Sequence, residues 1–125
     1  DLLSLIIILD QFPRNMFRNT AQAFATDAQA VDLTKYALSN NYPQELAVEQ
    51  QIFLYMPLMH SENKADQALS VELFRALGKE DNLDFAIKHQ AVIDRFGRFP
   101  HRNQILGRES TQAEAEFLTQ PGSSF

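Results

Sequence analysis

The sequence predicts an all-α protein, and three observations carry that prediction. Apolar residues recur at three- and four-residue spacing through most of the chain. No stretch combines sustained period-two alternation with β-branched enrichment. Glycine, proline and short polar residues fall between the periodic runs, where helices start and stop. At 125 residues, with 45% hydrophobic and 22% charged residues, the chain has the length and composition of one folded domain.

The first run, Leu2-Leu3-Ser4-Leu5-Ile6-Ile7-Ile8-Leu9, is apolar all round, so a helix over residues 2–12 is expected to be buried on most of its circumference. It is too short to span a bilayer and lacks the basic flank and cleavage site of a signal peptide. No cap is evident ahead of it, so Asp1 reads as a cut within a longer helix. Pro13 is expected to end it, because proline removes a backbone bond and biases Phe12 away from helix.

A second helix is expected over 27–39, where Val31, Leu33, Tyr36, Ala37 and Leu38 follow an alanine-rich stretch and Asp27 is placed to cap the first turn. Asn40-Asn41-Tyr42-Pro43 closes it. A third, over 44–55, carries Leu46, Val48, Ile52, Phe53 and Met56 until Pro57 interrupts. Ser61 is the expected cap of a fourth over 62–77, which aligns Leu69, Leu73, Ala76 and Leu77 and ends at Gly78. A fifth, started by Asp81 or Asn82 and running over 83–96, puts Phe85, His89, Val92, Ile93 and Phe96 on one face. Thr111 and Glu114 make a capping-box pair, which predicts a short last helix over 111–118. The total is six to seven helices.

Basic charge is placed rather than scattered. Leu9-Asp10-Gln11-Phe12-Pro13-Arg14-Asn15-Met16-Phe17-Arg18 and Asp94-Arg95-Phe96-Gly97-Arg98-Phe99-Pro100-His101-Arg102-Asn103 share one grammar, an apolar helix, a Phe-Pro step and flanking arginines. With Arg108 they hold all the arginines except Arg75. The net charge of −5 nevertheless argues against a phosphate-tracking surface and nucleic-acid binding. Absence of cysteine removes disulfides, thiolate ligands and cysteine nucleophiles, which suits a reducing compartment, and a cytoplasmic location is expected.

Several motifs carry a resemblance. Leu9-Asp10-Gln11-Phe12-Pro13-Arg14-Asn15, Phe53-Leu54-Tyr55-Met56-Pro57-Leu58-Met59-His60-Ser61-Glu62, Ala65-Asp66-Gln67, and Arg95 to Asn103 occur in an order that resembles the DUF924 family of uncharacterised bacterial proteins. Leu106-Gly107-Arg108-Glu109-Ser110-Thr111 and Pro121-Gly122-Ser123-Ser124-Phe125 extend the match over the whole chain. The resemblance implies a tetratricopeptide-like array of antiparallel helices, preceded in fuller members by a further helical segment, so residues 1–125 are expected to be a single helical domain lacking that segment. It implies no activity, and fold analogy supplies none.

Two function classes follow from the residues. The first is a binding or scaffold module, in which arginine forks hold an anionic small molecule or an acidic peptide. Its expected ligand-binding residues are Arg14, Glu62, Asp66, Arg95, Arg98, His101, Arg102 and Arg108. The second is a small hydrolase-like or transferase-like enzyme in which His60, His89 or His101 does acid/base chemistry on an anionic substrate. Against both stands internal pairing, with Asp10, Glu62, Asp66 and Asp94 closing one polar seam with the arginines and His89 a hydrogen-bonded core residue. Arg102 is expected to be structural, and Arg98 with His101 to face an open polar cavity. His60, Glu62 and Asp66, with His89 or His101, can also be read as metal ligands, but no recognised ligand spacing is present and no metal is expected. No Gly-x-Ser-x-Gly element, phosphate loop or cofactor motif appears, so no cofactor is expected. No membrane association is expected, and no pattern specifies an oligomeric state.

Overall fold

Six α-helices make up most of the chain: α1 (Leu2–Met16), α2 (Asp27–Ser39), α3 (Val48–Met59), α4 (Lys64–Leu77), α5 (Glu80–Phe96) and α6 (Gln112–Leu118). Short 3-10 turns occupy Ala21–Phe24, Tyr42–Glu45 and Pro100–Arg102. The computed structural model describes all residues 1–125 and contains no strand. Helix lengths run from 7 to 17 residues, and they do not establish a regular tetratricopeptide repeat. No helix is long and apolar enough to cross a membrane.

Both expected proline stops fail, and at Pro13 the reason is tertiary. Pro13 lies inside α1, where its ring denies Leu9 O its usual donor; Thr26 Oγ1 donates to that carbonyl at 2.5 Å instead. The same bond pins the start of α2 to α1. Pro57 likewise lies inside α3. The carbonyl it leaves without a donor belongs to the exposed Phe53, and Thr34 Oγ1 donates to the adjacent Leu54 O at 2.8 Å.

The caps also shift. Asp1 caps α1, its carboxylate accepting from Ser4 N at 2.7 Å, contrary to the uncapped reading. Asp27 caps nothing, because its carboxylate is taken by Arg14. Tyr42–Glu45 forms its own turn, entered through Asn41 at φ 56°, so the third helix begins only at Val48. Asn63, not Ser61, caps α4 by accepting from Asp66 N at 3.0 Å. The fifth helix begins at Glu80, ahead of Asp81. The Thr111–Glu114 capping box forms as read.

The core joins Leu3 and Ile6 of α1, Ala37 of α2, Leu54, Tyr55 and Met59 of α3, Val71 and Phe74 of α4 and Ala86 of α5. Phe74 is fully buried, edge-on to Tyr55 with centroids 6.0 Å apart. Each large apolar side chain buried in this way stabilises the fold by about 1.5–3 kcal/mol. Burial around most of α1 does not occur: Leu5, Ile8, Phe12 and Met16 form an exposed stripe, because α2 and α3 pack against one side only. Gly78, at φ 72°, joins α4 to α5 through a two-residue connection and makes them a hairpin. Gly97, at φ 74°, turns the chain out of α5 into Phe99-Pro100, where Phe99 packs with Val92 and Ile93. On α5, His89, Val92 and Ile93 are buried and Phe96 partly so, whereas Phe85 is 54% exposed.

Candidate functional site

Three arginines are braces, a fourth is an under-satisfied cation, and Arg18, Arg75 and Arg95 are exposed and in no ion pair. Arg14, four residues beyond Asp10 on α1, donates to that carboxylate at 2.9 Å and forks onto Asp27 at 2.9 and 2.8 Å. Arg108 forks onto Glu62 at 2.8 and 3.1 Å, and Glu62 also accepts from Phe99 N at 2.6 Å. Burial raises the Glu62 carboxyl, but Arg108 and the Phe99 amide outweigh it and hold the group below its ordinary value. Arg98 forks onto Glu114 at 2.8 and 2.7 Å, and these bonds bring Glu114 down to about 2.

Arg102 differs. It is 6% exposed, sandwiched between the Phe24 and Phe99 rings at 4.4 and 4.7 Å, and makes one hydrogen bond, from Nη2 to His60 O at 2.8 Å. Asp27 approaches it only to 3.8 Å, and its Nε–H has no acceptor. Burial, with Arg14 and Arg108 nearby, pulls its pKa down to about 10. It is a buried cation whose Nε–H has no protein acceptor, a place that a ligand, an ion or a water would fill.

Arg102 lines a cavity of about 550 Å³ that also holds Arg14, Lys88 and all three histidines. No Asp or Glu side chain lines it; its other walls include the rings of Phe24, Phe85, Phe99 and Phe125, with Met56, Met59 and the polar Gln11, Asn82 and Ser124. His60 Nδ1 lies 2.9 Å from Asp10 Oδ1, so the imidazole donates there and Nε2 is left free. Asp10 is 1% exposed; burial raises its carboxyl, but His60 and Arg14 outweigh this and leave it below the ordinary range. His89 Nδ1 donates to Phe85 O at 2.6 Å, and burial pushes its pKa down to about 4. His101 is brought to about 4 by burial and by Arg102, and its Nδ1 has no partner. Both rings are therefore neutral at pH 7.

The candidate residues thus separate. Arg14, His60, His89, His101 and Arg102 share the cavity. Arg98, expected beside His101, instead joins Arg95 at a separate depression next to α6. Arg102, expected to be a brace, is the least compensated of the buried cations. Arg108 and Glu62 are taken by each other, and Asp66 by Lys35 at 2.7 Å and Ser61 Oγ at 2.7 Å. The side chains weighed as metal ligands go to different partners, and no group of three or more His, Asp or Glu is arranged to hold a metal ion. Asp94, read as an arginine partner, is exposed and in no ion pair of the structure.

Sequence reasoning missed Asp10 as the partner of His60, Asp27 as the link between Arg14 and Arg102, and Gln11, Phe24, Lys88 and Phe125 as cavity wall. The Asp10–Arg14 spacing of four on a helix was a usable signal. Nothing local pointed to the others, which meet from distant parts of the chain.

Geometry places the molecule among all-α proteins that close paired arginine–carboxylate braces around a cation-lined, ring-walled cavity. The chain belongs to the DUF924 family of bacterial proteins of unknown function, whose model matches residues 1–122. It is similar to the solved structure of ATU0120, a protein of unknown function from Agrobacterium tumefaciens, with a TM-score of 0.89 and 41% identity over 94% of this chain. The chain spans 66% of the length of that protein. None of the curated proteins matches the sequence.

Proposed function

We propose that the protein is a binding module whose cavity captures an anionic small molecule. The observation that carries this reading is Arg102, a buried cation on the cavity wall whose Nε–H has no acceptor, set among three imidazoles with no Asp or Glu side chain in the lining. Size favours the small molecule over the acidic peptide. A cavity of about 550 Å³ lies within the roughly 300–1,000 Å³ of small-molecule pockets, whereas an acidic peptide needs an extended groove. Arg102 and His101 would hold the anion, while Arg14, paired with Asp10 and Asp27, and Lys88, paired with Asp84, shape the wall, and Glu62 with Arg108 holds the Phe99 turn.

Thermal melting at fixed ionic strength tests this with acetate, succinate and phosphate. At least one anion should raise the melting temperature of the parent, and saturation at about 100 Kd corresponds to about 2.7 kcal/mol. Arg102→Gln should lose the shift, and Arg95→Ala, an exposed change outside the cavity, should keep it. Equal shifts in all three proteins would mean general salting and end the reading.

The Asp10–His60 pair supports a second reading, a small hydrolase-like or transferase-like enzyme. A carboxylate that fixes the imidazole tautomer leaves Nε2 as a base on the cavity wall. On this reading His60→Gln lowers turnover of an anionic nitrophenyl ester by about 10²–10⁴, without changing binding of its non-hydrolysable analogue. Parent turnover no faster than that of His60→Gln leaves binding alone.

A further inference from the structure

The cavity already contains a ring. Phe125 stacks on His89, with centroids 3.8 Å apart and planes 27° from parallel, and presents its edges to Phe99 at 5.9 Å and His101 at 5.9 Å. One stacked face and two edge contacts make a slot shaped for a flat ring. Its occupant is weakly held. Phe125 is 44% exposed, no backbone hydrogen bond involves residues 121–125, and the side-chain bond of that segment runs from Ser123 Oγ to Leu118 O. His89 is itself fixed from behind by Phe85 O, so the stacking face is held by a hydrogen bond whereas the ring upon it is held by ring contacts alone.

The anion end adjoins the slot. Phe99 is the shared wall: its ring lies 5.9 Å from Phe125 and 4.7 Å from Arg102 Cζ. Arg102 is more than nine-tenths buried, lines the cavity and has an unpartnered Nε–H; His101, with an unpartnered Nδ1, forms another side of the slot. We propose that the ligand is a planar aromatic carboxylate, whose ring takes the place of Phe125 against His89 and whose carboxylate goes to Arg102. The proposal rests on the anion-binding reading of this cavity and adds the ligand's shape. Neutral His89 suits the role, since an uncharged imidazole stacks on an aromatic ring without adding another buried charge to the cavity.

Calorimetric titration of the full chain at pH 7 with benzoate, cyclohexanecarboxylate and acetate tests the proposal. Benzoate and cyclohexanecarboxylate match in charge and nearly in size, so stacking separates them, and benzoate should bind about tenfold tighter. Phe125→Ala should bind benzoate severalfold tighter than the parent, because the resident ring no longer competes. Arg102→Gln should abolish binding of all three acids. Circular dichroism and melting of each variant confirm that it is folded. Should Arg102→Gln fail to fold, the Phe125→Ala comparison and the two six-membered acids still decide the matter. Equal affinity for benzoate and cyclohexanecarboxylate overturns the aromatic slot and leaves the anion reading standing. So does a Phe125→Ala variant that binds benzoate no better than the parent. If no acid binds either protein, and phosphate and succinate also fail, the anion reading falls and the slot with it.

Discussion

Arg14→Met is expected to lower the unfolding free energy by about 3–5 kcal/mol, the usual cost of breaking a buried ion pair by removing one member. Arg14 is the common partner of Asp10, 2% exposed at its side chain, and Asp27, 18% exposed. Without it Asp10 keeps only His60 and Gln11, and Asp27 keeps only Arg102 at 3.8 Å. Two carboxylates with little solvent then face each other with one cation beyond hydrogen-bond reach. Methionine retains most of the apolar stem, so lost charge rather than lost packing sets the effect. Urea midpoints of the parent, Arg14→Met and the double variant Asp10→Asn with Arg14→Met check the cause. The double variant should recover part of the loss, because the stranded charge is gone. A single variant within 1 kcal/mol of the parent would show that these carboxylates are solvated rather than braced.

Stability is expected to fall as pH drops from about 6.5 to about 4. His89 takes its proton near 6.5 when unfolded and near 4 when folded. Across that window the unfolded chain binds more protons, so the unfolding free energy rises with pH. The contribution is complete above 6.5, and about 3 kcal/mol of it is lost by pH 4. His101 acts in the same direction, reduced by its partial exposure. The cations facing His89, namely Arg102 and any protonated His60 or His101, reinforce the sign. Below this window Asp10, Glu62 and Glu114 continue the loss, because their folded values lie below the unfolded ones and their stabilisation disappears as they are protonated. Denaturation at pH 7, 6, 5 and 4 for the parent and His89→Phe measures the slope. The variant should be flatter above pH 4, keeping only the part due to His101; parallel profiles would assign the titration to other groups.

Local chemistry was legible in the sequence. The periodic apolar stripes specified six helices, Gly78 stopped α4 because left-handed backbone suits glycine, and the Thr111–Glu114 box formed within four residues of chain. The motifs from Leu9 to Phe125 identified the DUF924 family. Two of the clustered arginines, Arg14 and Arg102, reach the cavity. Tertiary structure decided the rest. Pro13 did not break its helix because the hydroxyl of Thr26, 17 residues away from Leu9, supplies the missing hydrogen bond, and at Pro57 the deprived carbonyl belongs to the exposed Phe53, where solvent can serve it. Whether an arginine is a brace or a free cation depended on which carboxylate the packing delivered: Glu114 to Arg98, Glu62 to Arg108, and none within hydrogen-bond distance of Arg102. Charge type and helical phase are local properties and can be read in order along the chain. Pairing and enclosure depend on distances between residues as far apart as Asp10 and His60, and those distances exist only once the helices have packed.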